Sequence, residues 1–550
     1  MKILLQLVIF MKKFLLFTAI ILSFTLLTIL VMEKTDVLGL AGRELAPTFR
    51  ETDGRLQLSW NRLPYPCFYR IESYSRTTGL VANEPSSHLF QGDFTFDSSY
   101  QVPRTAIPMY YRVTAYGMFG RLTPPSEPIE NPDFPLDNTS PVSIFHYTEN
   151  HKASQMPFLV WHTVPTAVCY EVELLSDPPK QEGGTKPATK KEGHLESTRQ
   201  IYTNGWQADL RPYARRGVVY WRVRALGLHH EAIGEFSKAE PIHIDPALPS
   251  PNAPLINDFD QMPNFQQPVY PVYQWIPLHG MMRFEVELLT QPPEIPNGTQ
   301  PDPKRYWSKV VDSANTCYDE YARPYAGEYY WRVRALDKNN NPVGTWSDAA
   351  KFTMPEYSGR VKAAVLGDSI THGGGAVSYS PAALEYSYTT YLDFPCLNLG
   401  RSGDTSHMTA DRFDADVLHF QPENLLILTG SNSLRSSTIS AQSVINDLDT
   451  IRAKCEGNNI RPVFLTLMPI NPKNIKYAFH TDTDPNWKLK LNLINGWIRQ
   501  QEYFIDLEPY FYDASRKEMD TGFSIDGLHP DIRGKMLMGE IINAHKNVLR

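Results

Sequence analysis

A repeated strand motif constrains the fold of this chain more than any other feature. The heptapeptide Tyr-Trp-Arg-Val-Arg-Ala-Leu stands at 220–226 and again at 330–336, and its Arg-Val pair recurs at 112, 222 and 332, so the period is 110 residues. Apolar and other residues alternate along each copy, which is the period-two pattern of a half-buried β-strand. A repeated unit of this length indicates three copies of one strand-rich domain.

The repeats predict three all-β sandwich modules, at residues 43–140, 141–246 and 247–355. A second repeated strand begins nine residues after Trp60, Trp161 and Trp275 in the three copies. The chain has 44 prolines among 550 residues, above the typical ~5%, and such an excess suits the turns and edge strands of β-rich modules. The set resembles fibronectin type III modules, which implies two packed antiparallel sheets in each copy.

The role of these modules stays open between spacing and binding. Their alternating arginines are interpreted as a solvated strand face, so a spacer is favoured over a glycan-binding or protein-binding module. The formal net charge is −7 and basic residues are not concentrated, which argues against nucleic acid as a partner. Five cysteines lie far apart in the sequence, which excludes a Cys-x-x-Cys metal or redox motif and a disulfide scaffold.

The first 42 residues are predicted to direct export. Residues 14–32 form an uncharged apolar run of 19 residues with lysines before it. The basic flank should stay cytoplasmic, which places the rest of the chain outside the membrane. A spanning helix needs ~17–25 residues, so the run fits a retained anchor, whereas Gly39-Leu40-Ala41 would suit cleavage of a signal peptide. The protein is therefore predicted to be anchored in the membrane through this helix, or secreted if it is cleaved.

Residues 357–550 have a different pattern, in which short apolar runs alternate with helical segments. The predicted strands are 361–366, 396–399, 425–428, 463–468 and 504–507. Helices are predicted after Ser440, at 487–498 and at 532–542. Short apolar strands alternating with helices predict a parallel sheet covered on both faces. Ligands bind such sheets beyond the carboxyl ends of the strands.

Polar blocks stand where that rule predicts a site. The blocks Gly367–Thr371, Gly400–Ser406 and Thr429–Asn432 follow the first three strands, and Asp526–Pro530 precedes the last helix. Each block by itself is a common turn sequence. Together they predict one site at one edge of the sheet.

The residue types in these blocks fit acyl transfer. Ser369 needs a base to become a nucleophile, His529 can be that base, and Asp526 can orient its imidazole. A tetrahedral oxyanion needs fixed donors, which the N–H groups of Ser369 and Gly403 and the side-chain amide of Asn432 can supply. Serine, aspartate and histidine in this order predict a catalytic triad built from one early loop and one late loop.

These blocks resemble those of the SGNH (GDSL) hydrolase family. Asn398–Ser406 (NLGRSGDTS) is similar to the second family block, and Asp526–Pro530 (DGLHP) to the last. The resemblance implies an α/β three-layer, flavodoxin-like domain in which Ser369, Gly403, Asn432 and His529 are the name-giving residues and Asp526 is the triad acid. Ser433 stands where the family usually has Asp, which puts an outer support of the site in doubt.

Other interpretations remain open. Asp368, His372, Asp526 and His529 could instead ligate a metal ion, as in phosphoesterases, but this leaves Ser369 without a task. In the triad interpretation no metal or cofactor is needed, and Asp368 and His372 support the site from behind or border the substrate. The domain could also be an inactive glycan-binding module on the cell surface.

The sequence predicts an exported serine esterase that acts through an acyl-enzyme. The expected substrate is an O-acetyl or short acyl ester, on cell-envelope or extracellular carbohydrate or on a small molecule. A lipase or lysophospholipase is the alternative enzyme, because pocket loops that the sequence does not reveal decide among these esters.

Overall fold

The structure is a computed structural model, and it describes residues 25, 27–37, 39–52, 55–65, 67–75, 89–102, 109–130, 140–164, 167–180, 184, 186–260, 267–313, 315–357, 359–375, 383–515 and 517–550. The chain divides into two compact units, residues 1–104 with 108–135 and residues 105–107 with 136–550. Most of the predicted apolar segment 14–32 lies outside the described residues. The part of it that is described, residues 25 and 27–32, is helical, and the helix continues to residue 34. Within the described ranges, every helix is too short or too polar to span a bilayer.

The first unit contains two antiparallel sheets, ordered β1-β2-β5 and β4-β3-β6-β7. The strands are β1 (Thr48–Thr52), β2 (Arg55–Ser59), β3 (Phe68–Ser75), β4 (Leu89–Thr95), β5 (Ser99–Gln101), β6 (Met109–Tyr116) and β7 (Ile129–Glu130). The repeated Trp60 is buried, and its ring packs edge-on against Tyr69 at 5.3 Å between centroids. The predicted strand-rich character of this region is confirmed.

The second repeat begins the second unit and also forms two antiparallel sheets, ordered β10-β9-β12-β13 and β11-β8. The strands are β8 (Phe158–Val160), β9 (Cys169–Leu175), β10 (His194–Ile201), β11 (Gly205–Gln207), β12 (Val218–Leu226) and β13 (Glu240–His243). Short 3-10 helices occupy Lys190–Glu192 and Arg211–Arg216. Trp161 and Trp221 are buried in one apolar cluster with residues of both sheets.

The third repeat has the sheets β14-β15-β18 and β17-β16-β19-β20, with β21 paired to β19. The strands are β14 (Leu255–Ile256), β15 (Val272–Ile276), β16 (Arg283–Leu289), β17 (Trp307–Val311), β18 (Thr316–Tyr318), β19 (Gly327–Leu336), β20 (Pro342–Val343) and β21 (Ala350–Met354). The third repeated tryptophan, Trp275, is fully buried like its counterparts.

The prediction that the repeated arginines form a solvated face is wrong. In the second repeat, Arg222 and Arg224 lie opposite Glu173 and Glu171 on the neighbouring strand. Both pairs are buried and make ion pairs with N–O distances of 2.8 and 2.6 Å. The Phe236 ring covers the two guanidinium groups, 4.0 and 4.4 Å from its centroid. Aromatic cover and paired charge make this polar strand face part of the interior.

The third repeat contains the same arrangement. Arg332 and Arg334 pair with Glu287 and Glu285 at 2.7 and 2.6 Å, and Trp346 covers both guanidinium groups at 4.9 and 4.6 Å. Alternation with period two tells which residues share a strand face. It does not tell whether a later segment of the chain covers that face, which is why the burial was missed.

The C-terminal domain is built on a five-stranded sheet in which every pairing is parallel. Its strands are β22 (Ala363–Gly367), β23 (Leu397–Gly400), β24 (Asn424–Leu428), β25 (Arg461–Leu465) and β26 (Phe504–Ile505). The order is β23-β22-β24-β25-β26, the 2-1-3-4-5 order of flavodoxin-like sheets. Every residue of β22 and β24 is buried, so both faces of the sheet are covered and the predicted parallel sheet is confirmed.

Helices connect these strands. They are α1 (Ser369–His372), α2 (Ser406–Asp411), α3 (Phe413–Phe420), α4 (Ser431–Arg435), α5 (Ala441–Gly457), α6 (Pro472–Phe479), α7 (Trp487–Ile498) and α8 (Ile532–Ala544). Short 3-10 turns lie at Leu384–Tyr386, Tyr388–Tyr391, Glu508–Tyr510 and Lys546–Val548. The predicted cap of α5 is present, because the Ser440 hydroxyl accepts a hydrogen bond from the Ser443 N–H at 3.0 Å.

One apolar core joins the third repeat to the C-terminal domain. Buried residues of β15 and β19, such as Trp275 and Val333, belong to the same packed cluster as Val365 of β22 and Leu426 of β24. Val160 of the second repeat also belongs to it. The third repeat and the sheet that carries the polar blocks are therefore packed as one body.

Candidate active site

The candidate nucleophile lies where β22 ends and α1 begins. Asp368 caps this short helix by accepting a hydrogen bond from the Ile370 N–H at 3.0 Å, and Ser369 is the first helical residue. Gly367 permits the turn, because a Cβ at this position would lie 2.0 Å from the Leu428 carbonyl oxygen. The tight packing of β22 against β24 thus requires a glycine just before the Asp-Ser pair.

Ser369, His529 and Asp526 form a continuous hydrogen-bonded chain. The Ser369 Oγ lies 2.8 Å from the His529 Nε2, and the His529 Nδ1 lies 2.9 Å from the Asp526 Oδ2. A carboxylate only accepts, so these partners assign the proton to Nδ1 and leave Nε2 to accept from the serine hydroxyl. Ser369 is separated from His529 by 160 residues, and the fold brings the three predicted side chains together.

The loop that carries Asp526 and His529 is held rigidly. The buried Asp526 accepts backbone hydrogen bonds from Leu528 and His529 through its Oδ1, both at 2.8 Å. Gly527 between them has a φ of +81°, and a Cβ there would meet the Asn471 carbonyl oxygen at 2.5 Å. The glycine of Asp-Gly-Leu-His is therefore needed both for its backbone conformation and for the approach of Asn471.

The predicted oxyanion donors lie on two neighbouring loops. Gly403 has a φ of +89°, and Asn432 donates one amide hydrogen to the adjacent Asp404 carbonyl at 2.9 Å. This bond leaves the second hydrogen of the Asn432 amide available. In the part of the chain that the structure describes, no protein acceptor pairs with the N–H of Ser369 or of Gly403. Donors of this kind are what a tetrahedral oxyanion would need.

The sequence of this region matches a known family. Residues 365–537 match the model of the GDSL-like Lipase/Acylhydrolase family, and this range includes all four polar blocks. The chain contains a GDSL-like acylhydrolase domain. It is accordingly a carboxylic ester hydrolase.

Solved structures similar to part of the chain share low sequence identity with it. The lipase/acylhydrolase from Enterococcus faecalis is 21% identical with a TM-score of 0.29, and the alignment covers 34% of this chain and 97% of that one. A GDSL-like lipase from Bacteroides thetaiotaomicron is 17% identical with a TM-score of 0.27, over 34% and 87%. An acetylxylan esterase from Geobacillus stearothermophilus is 15% identical with a TM-score of 0.27, over 36% and 99%. No curated protein matches the chain.

A buried ion-pair network supports the second block of the acylhydrolase domain, and sequence reasoning missed it. Arg412 bridges the carboxylates of Asp404 and Asp416, each at 2.6 Å. It also donates to the carbonyls of Leu399 and Gly367, at the ends of two strands. One guanidinium thereby fixes the first and second loops of the site relative to each other. An arginine nine residues after Gly403 carries no sequence signal for this role.

The unusual Ser433 keeps the outer support of the site. Its hydroxyl accepts from the Ser406 N–H at 3.0 Å, at the start of α2. The Ser406 hydroxyl in turn donates to the Asp447 carboxylate at 2.6 Å. A carboxylate from α5 therefore completes the bracing that the sequence departure had put in doubt.

The two residues predicted to support the site are both fully buried. Burial raises the pKa of Asp368 to about 6 and lowers the pKa of His372 to about 4. His372 is therefore neutral, with its Nε2 donating to the Tyr270 carbonyl at 2.7 Å and its Nδ1 accepting from the Ser402 N–H at 3.1 Å. Its two ring nitrogens are thus both occupied. Among the described residues, no group of three or more His, Cys, Asp or Glu side chains is placed to hold a metal ion.

A buried lysine packs against the helix that begins with Ser369, and sequence reasoning missed it as well. Lys535 of α8 is fully buried and donates to the Ile370 carbonyl at 2.6 Å. Burial lowers its pKa to about 7, while the carboxylates of Asp368, Asp531 and Asp526 act to raise it. The lysine links the last helix to the short helix that begins with Ser369, and its charge offsets the acids around the site.

Both neighbouring repeats contact the loops of the acylhydrolase domain. From the third repeat, the Tyr270 hydroxyl donates to Asp416 at 2.7 Å, and the Tyr318 ring packs edge-on against the His372 ring at 6.1 Å between centroids. From the second repeat, Leu228 packs with Ile525, the residue before Asp526. These contacts give the two repeats a bracing role that the spacer interpretation did not include.

His372 links the Tyr270 carbonyl of the third repeat to the Ser402 N–H, and we call this link the brace. Removing the His372 side chain tests its role. We expect His372→Ala to lower kcat for p-nitrophenyl acetate by about 10–100-fold with little change in KM, because the loop that carries Gly403 loses its anchor. The free energy of unfolding should fall by about 2–5 kcal/mol, since the buried Tyr270 carbonyl and the half-buried Ser402 N–H lose their hydrogen-bond partner. His419→Ala is the matched control, because among the described residues the rings that His419 contacts are those of Tyr325 in the third repeat and Phe420 in α3. Equal kcat values in His372→Ala and wild type would show that the brace does not position the donors.

Proposed function

We propose that this carboxylic ester hydrolase is an exported serine esterase that removes acetyl or other short acyl groups from cell-envelope or extracellular carbohydrate. The observation that carries the proposal is the hydrogen-bonded chain from Ser369 through His529 to the buried Asp526. The donors of Ser369, Gly403 and Asn432 beside it support an acyl-transfer mechanism.

In the first half-reaction the Ser369 oxygen attacks the ester carbonyl. The Ser369 proton passes to the His529 Nε2 as the new oxygen–carbon bond forms, and Asp526 stabilises the imidazolium. The carbonyl oxygen becomes an oxyanion held by the three donors. The bond to the alcohol oxygen then breaks, the alcohol takes the proton from Nε2, and an acyl-Ser369 ester remains.

In the second half-reaction water takes the place of the alcohol. The neutral His529 removes a proton from the water, whose oxygen attacks the acyl carbon. The tetrahedral intermediate collapses when the bond to the Ser369 oxygen breaks and that oxygen recovers the proton. The products are the free acid and the starting enzyme.

The side chains next to His529 support the proposal of a carbohydrate substrate over a long hydrocarbon chain. The Phe479 ring lies 5.8 Å from the His529 ring between centroids. The Arg435 guanidinium lies 5.7 Å from the Phe479 ring. An aromatic face beside a planar donor group suits a sugar ring, which has one apolar face and polar edges.

The rest of the chain fits a tethered or secreted enzyme. Residues 1–42 would export the protein, as a retained membrane anchor or as a cleaved signal peptide. The regions 43–140, 141–246 and 247–355 would be fibronectin type III-like modules, which their paired antiparallel sheets support. The modules would hold the acylhydrolase domain at a distance from the membrane.

A series of acyl chain lengths tests the substrate class. We expect kcat/KM to be highest for p-nitrophenyl acetate and to fall by at least about 10-fold for the octanoate, because a short-acyl pocket rejects added methylenes. Acetate should also be released from acetylated xylan. Activity that rises with chain length would instead support the lipase alternative, and binding of the polysaccharide without acetate release would support a glycan-binding module.

A further inference from the structure

Arg435 lies at the proposed site and has no role in the triad mechanism. It is the last residue of α4, three residues after Asn432, and residues three apart in a helix share a face. Its backbone is fixed by a hydrogen bond from the Asp484 N–H to the Arg435 carbonyl, at 2.9 Å. The guanidinium lies over the Phe479 ring, 5.7 Å from its centroid, and the same ring lies 5.8 Å from the His529 ring.

The guanidinium has a buried donor without a protein partner. Its Nη1 is buried, and within the described residues no acceptor lies within hydrogen-bond distance of it. The carboxylate of Asp484, whose N–H binds the Arg435 carbonyl, is already paired with Lys490. Burial lowers the pKa of Arg435, and the more distant carboxylates of Asp526 and Asp368 offset this only in part. A buried guanidinium donor without an acceptor costs free energy unless a bound group supplies one.

The position of Arg435 indicates which part of the substrate it would meet. The alcohol oxygen receives its proton from the His529 Nε2, so the alcohol portion must lie on the His529 side of Ser369. The Phe479 ring contacts both the His529 ring and the Arg435 guanidinium. A sugar ring packed on Phe479 would place its far substituents at the guanidinium.

We propose that Arg435 is a specificity residue that binds a carboxylate on the alcohol portion of the ester, as in an O-acylated uronic acid. The planar fork of arginine matches a carboxylate with two parallel hydrogen bonds, and the partly buried setting strengthens them. This inference rests on the proposed esterase function and narrows its substrate to acidic sugars or related hydroxy acids.

Matched pairs of neutral and anionic esters test the role of Arg435. The probes are 3- and 4-acetoxybenzoate, whose leaving phenols carry a carboxylate, and the methyl esters of the same compounds. The measured quantity is the ratio of kcat/KM for the acid to kcat/KM for its methyl ester. We expect Arg435→Gln to lower this ratio by about 10–100-fold, the range for a lost charged hydrogen bond. Arg435→Lys should recover part of the ratio, because it keeps the charge.

The control is Arg452→Gln, which removes a half-buried arginine of α5 that pairs only with Asp449 and Glu456 among the described residues. It should leave the ratio unchanged. A ratio that is the same in Arg435→Gln and wild type, with both esters hydrolysed, would overturn the role of Arg435 and leave the esterase function intact. Absence of hydrolysis of all four esters by the wild-type protein would instead contradict the proposed function itself.

Discussion

Replacing Asp526 with asparagine is expected to lower kcat for p-nitrophenyl acetate by about 10⁴-fold. The Asp526 Oδ2 accepts the Nδ1 hydrogen of His529 at 2.9 Å. An asparagine can present its amide hydrogens there, which favours the tautomer with the proton on Nε2. That tautomer cannot accept the Ser369 proton, and no carboxylate remains to stabilise the imidazolium.

The same variant should keep its fold. The Asp526 Oδ1 accepts backbone hydrogen bonds from Leu528 and His529, and an asparagine carbonyl oxygen can accept both. Asp513→Asn is the control, because Asp513 is a loop acid on the same chain segment whose bonds go to Ser515, Lys517 and Glu518. A wild-type kcat in a folded Asp526→Asn protein would contradict the assignment of Asp526 as the triad acid.

The parallel sheet and the grouping of the polar blocks could be predicted from the sequence because both follow from local signals. Runs such as 425–428 have the length and composition of buried strands, and the structure places β24 at Asn424–Leu428. The polar blocks directly follow such strands. Since parallel strands end at one edge of the sheet, Ser369 and Gly403 had to lie near each other.

The supports of the site could not be predicted, because they join segments that are far apart in the sequence. Arg412 pairs with Asp404 and Asp416, which are close in the sequence, but Asp416 also accepts a hydrogen bond from Tyr270 of the third repeat, 146 residues earlier. From the sequence alone, Lys535 would be expected on the surface of its helix. In the structure it is buried and donates to the Ile370 carbonyl, next to Ser369. The burial of the arginines in β12 and β19 could not be predicted for the same reason. The aromatic rings that cover them, Phe236 and Trp346, lie outside these strands.

Replacing Ser369 with alanine should abolish ester hydrolysis above a small residual rate. The variant removes the only hydroxyl within hydrogen-bond distance of the His529 Nε2 among the described residues. Loss of the nucleophile in serine hydrolases of this mechanism costs about 10⁶-fold in kcat. The fold should be unaffected, because Ser369 is half-buried and the cap of α1 comes from Asp368.

Matched variants separate loss of chemistry from loss of structure. His529→Ala should lower kcat to a similar extent as Ser369→Ala, and the double variant should be no less active than either, since the two side chains act as a unit. Ser515→Ala, which removes an exposed hydroxyl bonded to Asp513, keeps the triad and should retain wild-type activity. Additive losses in the double variant would indicate that Ser369 and His529 do not act together.

Covalent labelling by a fluorophosphonate tests the central claim most directly. Attack by an activated serine forms an oxygen–phosphorus bond and expels fluoride, and the adduct is stable to peptide mapping by mass spectrometry. We predict that the phosphonyl group is found on Ser369, that labelling and loss of esterase activity proceed in parallel, and that His529→Ala prevents both. Inactivation with the label on another residue, or full activity in a protein labelled on Ser369, would contradict the account.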